Sequence, residues 1–237
     1  MLKIAIDLRE QLEPVRDQER RPTCLAFAAS AAHRIAHRHS NALSPEWLYY
    51  HANRLDGLRP DQGSTIEATC TVIPKHGQPD EVFWPYQGQD LSPSPYQPPS
   101  RQPTVLRCNV GQRDGIVDRW RSELDASLPI VIALFISPTF YTPEGFSGSE
   151  AMMGDDIDPI DPALVHAVVL AGYGDINGTP HFLVRNSWGL GWGYSGHAWF
   201  SETYLARRFA GAFVIHHGAS DDVQSDGTRT HSRLRVG

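Results

Sequence analysis

Residues 24–37 read CLAFAASAAHRIAH, and the reading of this stretch decides the fold. Alanine is the best helix former, and its density here, with larger apolar groups at Leu25, Phe27 and Ile35, predicts a helix packed closely into a core. Pro22 restricts the chain just before it, and Thr23 stands where an N-cap belongs, so the helix is predicted to begin at or next to Cys24. A helix N-terminus carries partial positive charge and unpaired N–H groups, which favour the thiolate of a cysteine whose ordinary pKa is about 8.5. Taken alone, however, a cysteine beside an alanine-rich helix is more often an inert core residue. The chemistry therefore depends on whether a partner lies elsewhere in the chain.

Outward from this helix, Leu43-Ser44-Pro45-Glu46 predicts a second one, with Ser44 as cap, Pro45 at the first helical position, and Trp47, Leu48 and Tyr50 on its apolar face. A third is predicted over Thr65–His76 after the turn-like Asp61-Gln62-Gly63-Ser64. Residues 92–103, SPSPYQPPSRQP, carry five prolines and read as a linker or extended surface loop. Beyond it come a helix near Gly115–Ser127 and strand-like runs at Pro129–Ile136, Val165–Ala171, Phe182–Arg185 and Ala198–Phe200. Residues 218–237 are polar and read as a disordered tail. A helical first half and a β second half give an α+β architecture with a groove where they meet.

The chain has 237 residues, enough to bury a core without disulfides, with 21 Lys+Arg against 27 Asp+Glu for a net charge of −6. That balance does not suggest nucleic acid as a partner. No apolar run approaches the roughly 18 residues of a membrane helix, and the N-terminus MLKIAIDLRE is unlike a signal peptide. Cys24, Cys70 and Cys108 are an odd number at wide spacing, so no disulfide framework is read, and a reducing, cytoplasmic compartment is expected.

Among eleven histidines, His166 stands apart. It lies in the apolar run Ala163-Leu164-Val165-His166-Ala167-Val168-Val169-Leu170, where an imidazole must find a specific hydrogen bond. Residues 181–193, HFLVRNSWGLGWG, put Asn186 after a strand with Trp188 close by. An asparagine side-chain oxygen can fix an imidazole's tautomer and orientation, the third role in a nucleophile–base–orienter set.

Several ordered pieces resemble the papain-like cysteine peptidases. These are Asp7-Leu8-Arg9 with Pro14-Val15-Arg16-Asp17-Gln18, then Cys24-Leu25-Ala26-Phe27, Leu43-Ser44-Pro45-Glu46, Gly63-Ser64 and Trp84-Pro85-Tyr86. Val165-His166-Ala167-Val168 with Gly172-Tyr173-Gly174 follows, and Asn186-Ser187-Trp188-Gly189 with Gly191-Trp192-Gly193 completes the series. The resemblance covers about Asp7 to His217. His166 and Asn186 follow Cys24 by 142 and 162 residues, against roughly 130–150 in the family, and a modest insertion in the β half would explain the excess.

The resemblance implies a two-lobed fold, with a helical left lobe over about 10–110 and an antiparallel, β-barrel-like right lobe over about 111–217 plus the N-terminal strand. The active-site cleft would lie between them, in a catalytic domain spanning 1–217. It implies Cys24 as nucleophile, His166 as its acid–base partner, Asn186 as the orienter of the ring, and Gln18 as oxyanion donor with the Cys24 backbone N–H. Trp188 would shield the His–Asn bond and, with Trp192, flank the substrate. Gly63 and Ser64 would bind an extended peptide as an added strand. Thr65, Ile66, Leu164, Val165 and Ala167 would line the pocket for the second residue before the scissile bond, favouring an apolar side chain. No cofactor and no metal ligand set is implied.

Three departures accompany the matches. Where the family has a disulfide-forming cysteine, a glycine and, after the nucleophile, an aromatic residue, this chain has Arg21, Pro22 and Leu25. The resemblance is thus to a divergent, disulfide-free member of bacterial type. Its partners would be a peptide or protein substrate and a regulatory protein. Met1 precedes the mature-like start by only a few residues, so the family's inhibitory propeptide would be either absent or trimmed, and restraint would fall to a partner, the compartment or closure of an acidic loop. That loop, Glu144–Asp161, holds Glu144, Glu150, Asp155, Asp156, Asp158 and Asp161 with no Lys or Arg, and would either flank the groove or be a solvated insertion. Acyl transfer or amide hydrolysis by the same triad, or a weak pseudo-peptidase that binds a partner, are the competing readings.

Overall fold

A computed structural model describes residues 1–88, 96–146, 150–154, 158–217 and 234–237. The expectations for 92–95, for Asp155 and Asp156, and for 218–233 therefore lie outside the described residues. After the N-terminal strand β1 (Leu2–Asp7) and a single 3-10 turn, the first α-helix is the central α1 (Cys24–Ala36). Its residues from Cys24 to His33 are all buried. Burial around the whole helix explains the alanines, whose small side chains let it lie close against the small residues Ala133, Ala167 and Ala171, which share its core cluster. Thr23 holds the N-cap position but makes no side-chain cap. Its hydroxyl goes instead to the Tyr86 hydroxyl at 2.9 Å.

Helix α2 (Pro45–Asp56) begins as predicted, with Ser44 Oγ accepting the Trp47 N–H at 3.1 Å and Gly57 closing it at φ 68°. A two-residue strand β2 (Ser64–Thr65) leads into α3 (Ile66–His76), which Thr65 caps through the Ala68 N–H. These helices pack on α1 and make the helical lobe.

The other lobe is built on one sheet. Its strands are β3 (Asn109–Arg113), β4 (Ile130–Phe135), β5 (Glu144–Phe146), β6 (Glu150–Met152), β7 (Val165–Ile176), β8 (Thr179–Arg185), β9 (His197–Ser201) and β10 (Phe209–His216), in the order β3-β10-β4-β7-β8-β9-β6-β5. Helices α4 (Val117–Asp125) and α5 (Glu202–Arg207) flank it, and β1 pairs with the far half of β7. The pairing is antiparallel except between β6 and β9. Strand β7 is central because it is apolar and almost wholly buried, so both faces can be covered. One face packs on α1 while the other shares a second core with Trp120, Phe140, Phe182 and Phe200. No helix among the described residues is long and apolar enough to cross a membrane.

Two sequence expectations need correction. Part of the acidic stretch is sheet edge rather than loop, and Glu150 is consumed inside the lobe, where it pairs with Arg9 at 2.9 Å and accepts the Trp199 indole N–H at 2.9 Å. The tail expected to be disordered ends in order: β11 (Arg235–Val236) pairs antiparallel with β2. Leu234 and Val236 alternate with polar residues and bury apolar surface, which outweighs the polar composition of the tail as a whole.

Candidate active site

Cys24 opens α1 and is fully buried against β7. The backbone N–H of Ala167 donates to its Sγ at 3.4 Å, so the thiol rests on the same strand as His166. The imidazole of His166 is also buried. Asn186, immediately after β8, directs its side-chain oxygen at the ring: Oδ1 accepts the Ser187 backbone N–H at 2.8 Å and the Nε2–H of His166 at 2.7 Å. A proton held on Nε2 leaves Nδ1 with a free lone pair, the form of the ring that can take a proton from a thiol. Asn186 Nδ2 is buried without a partner among the described residues.

The ring is enclosed by aromatics. Trp188 lies 4.5 Å from His166 between centroids, Phe140 lies 5.5 Å from it edge-on, and Tyr141 stacks on Trp188 at 5.1 Å. Trp192, expected at the substrate, instead sits in the core behind this group. It donates its indole N–H to the Phe140 carbonyl at 2.9 Å, because an indole so deeply buried must satisfy its donor.

Gln18 reaches the site from the loop before α1. Its Oε1 accepts the Ser187 hydroxyl at 2.6 Å and its Nε2 donates one hydrogen to the Arg21 carbonyl at 3.0 Å, leaving a second amide hydrogen. The loop itself is tied down by side chains. Arg21, 4% exposed, forms a bidentate pair with the fully buried Glu46 of α2 at 2.6 and 2.9 Å, and Tyr86 donates to the Gln18 carbonyl at 2.6 Å. Neither Ser187 nor the Arg21–Glu46 pair was picked out by sequence reasoning. Ser187 lies inside a quoted motif, whereas the ion pair has no local signal.

Burial dominates the electrostatics. It pushes the Cys24 thiol up to about 11, against the opposing backbone N–H groups, and pulls His166 down to about 4, against the Asn186 hydrogen bond. Burial thus favours the neutral form of each group. Burial raises Cys70 and Cys108 further, the latter to about 12, and all three thiols are free.

The expected peptide-binding residues divide. Gly63, at φ 76°, and Ser64 are both buried, and Ser64 forms the rim of the helical lobe on which Val236 pairs. Val165 and Ala167 are buried in the cluster that contains Cys24, and Ile66 packs against it. Thr65 turns its hydroxyl to Asp56 at 2.8 Å and to capping α3, which removes it from the pocket. Leu164, just before β7 begins, is 41% exposed and outside the cluster. Among the described residues, His33, His37 and Cys108, at the far end of α1, could hold a metal ion: their ligand atoms lie within 4.8 Å of one another, and His33 Nε2 is buried without a partner.

The family description "Papain family cysteine protease" matches residues 2–207 of the chain. Cathepsin K of Gallus gallus is 29% identical over 212 residues, covering 81% of this chain and 57% of the relative. Thiol protease aleurain of Arabidopsis thaliana is 27% identical over 197 residues, covering 81% and 53%. The chain thus spans little more than half the length of these curated relatives. Among solved structures, xylellain, a cysteine protease from Xylella fastidiosa, superposes with a TM-score of 0.70 at 21% identity, over 92% of this chain and 88% of that one.

Proposed function

The chain belongs to the papain family of cysteine proteases, and from that premise we propose that it hydrolyses internal peptide bonds through Cys24, His166 and Asn186. The observation that carries this reading is the contact set at β7. Asn186 fixes the proton on His166 Nε2 at 2.7 Å, while the next residue's N–H holds the Cys24 sulfur at 3.4 Å. The thiol proton passes to Nδ1 of His166 as the sulfur attacks the peptide carbonyl carbon. The oxyanion that forms is stabilised by the Cys24 backbone N–H and the free amide hydrogen of Gln18. His166 then gives its proton to the leaving amine as the C–N bond breaks. Water adds to the thioester, with its proton taken by His166, and releases the acid and the thiol.

Substitution Cys24→Ala is expected to abolish cleavage of a peptide library that the parent chain hydrolyses. Retention of the parent rate would overturn the assignment. A thiol-directed epoxide at pH 6 is expected to modify Cys24 in preference to Cys70 and Cys108.

A second reading, a weak pseudo-peptidase that binds a protein partner, is favoured by the complete burial and neutrality of Cys24 and His166. Absence of selective epoxide modification, with the fold intact, would select it.

A further inference from the structure

Residues 234–237, Leu-Arg-Val-Gly, cross the cleft from one lobe to the other. Arg235 pairs with Thr65 and Val236 with Ser64, extending the rim of the helical lobe by one antiparallel strand. The backbone N–H of Gly237 then donates to the carbonyl of Val165 at 3.3 Å, on the strand of the other lobe and one residue before His166. Val236 is fully buried in the cluster that holds Cys24, Ala133, Val165 and Ala167, and Leu234 packs against the same cluster. The direction is defined by the far end: Gly237 lies against Pro22, two residues before Cys24.

Two glycines make this approach possible. A Cβ on Gly63 would stand 2.5 Å from the Val236 carbonyl oxygen, so the strand could not seat on the rim. A Cβ on Gly237 would stand 2.6 Å from Cβ of Pro22 and 3.1 Å from Cα of Gly63. Neither atom belongs to a flexible side-chain end: one is in a proline ring and the other is backbone. The site beside the nucleophile is therefore closed to any residue larger than glycine in this geometry, and Pro22 supplies the closing wall.

We infer that residues 234–237 are an in-cis ligand of the peptide cleft, and that Pro22 makes the position next to the scissile bond selective for glycine, with a valine-sized apolar residue preceding it. This rests on the reading that Cys24 and His166 form a peptide-hydrolysing site. Occupied by its own segment, the cleft is shut to other peptides, and the apparent affinity for them falls by the fraction of chains that are open. The substrate class is then an extended peptide of the form Leu-Arg-Val-Gly, cut after the glycine.

The test uses the full chain, the same thiol-directed epoxide, and two reporters, Leu-Arg-Val-Gly and Leu-Arg-Val-Ala, each amide-linked to a fluorophore. Val236→Asp sets a charge in an apolar pocket, and Gly237→Ala adds the methyl that meets Pro22. Each is expected to release the segment and raise Cys24 labelling and reporter kcat/KM by about tenfold or more. Gly237→Ala introduces no buried charge, so it decides the matter should Val236→Asp not fold. On the released protein, the glycine reporter is expected to be cleaved at least about tenfold faster than the alanine reporter, and Pro22→Gly is expected to bring the two within about threefold. Labelling and cleavage rates equal in the parent and Gly237→Ala chains overturn the self-occupied cleft. An alanine reporter cleaved as fast as the glycine reporter overturns the selectivity of Pro22. If neither parent nor variants are labelled at Cys24 or cleave either reporter, the peptidase reading itself fails and this inference falls with it. Labelling and cleavage that Gly237→Ala leaves unchanged defeat the inference alone.

Discussion

The two walls of the cleft are held in place by different physics. The wall that carries Cys24 is a loop whose shape depends on individual polar side chains: Arg21 on Glu46, Tyr86 on the Gln18 carbonyl, and Ser187 on Gln18. The wall that carries His166 is a strand in mid-sheet, fixed by backbone pairing to β4 on one side and β8 on the other, with apolar packing on both faces. A ladder of backbone bonds is insensitive to which side chains it carries, whereas a polar tie fails when one partner is lost. Single substitutions should therefore move the Cys24 wall more than the His166 wall.

The sharpest way to break this comparison is Glu46→Ala, which strands the Arg21 guanidinium in a buried site. Loss of one partner of a buried pair costs about 3–5 kcal/mol, measurable as a fall in the urea midpoint. The double change Arg21→Met with Glu46→Leu should restore most of that loss, since a buried pair replaced by apolar residues of similar volume is often neutral. A double variant as unstable as the single one would show that shape, not charge, holds the loop.

A different route to failure, acid, reaches both walls. His166, and likewise His33, His51 and His197, are pulled by burial to about 4 in the folded chain, against about 6.5 unfolded. Between those values the unfolded chain binds more protons, so stability falls as pH drops through the window from 6.5 towards 4 and is flat above it. The Tm at pH 4.5 is expected to lie several degrees below that at pH 7.5. A Tm that does not fall would mean that these rings are hydrated.

Asn186→Ala is expected to lower kcat by between about tenfold and 10²-fold, less than the full worth of an acid–base group, with little change in KM or in the urea midpoint. A loss confined to KM would place Asn186 in binding instead. The smallest effect should come from Ser187→Ala, which frees Gln18 Oε1 and costs about 1 kcal/mol of activation energy. That this residue belongs to the β wall yet acts on the helical one makes it the exception that joins the two.

What could be read from sequence follows the same division. Ser44 and Pro45, and the alanines of α1, carry their structural message within a turn of the helix, and the predicted elements began where they said. Strand β10 was not anticipated because FAGAFVIH has no strict alternation, and it becomes a strand by pairing between β3 and β4, both distant in the chain. Cys24, His166 and Asn186 were legible as an ordered set, each weak alone. The Arg21–Glu46 pair was not, since nothing local tells a buried arginine from a solvated one. The strand at 235–236 was hidden by the composition around it, although Leu234 and Val236 already showed the period of two.

The Arg21–Glu46 tie also bears on how the protein can be handled. By resemblance, its relatives hold this loop with a cystine, so the reductant that protects their nucleophile from oxidation also threatens the fold around it. An ion pair has no reduction potential. Here the three thiols can be kept fully reduced, at any strength of thiol buffer, without loosening the loop that presents the sulfur, and high salt also has little purchase on a pair so deeply buried.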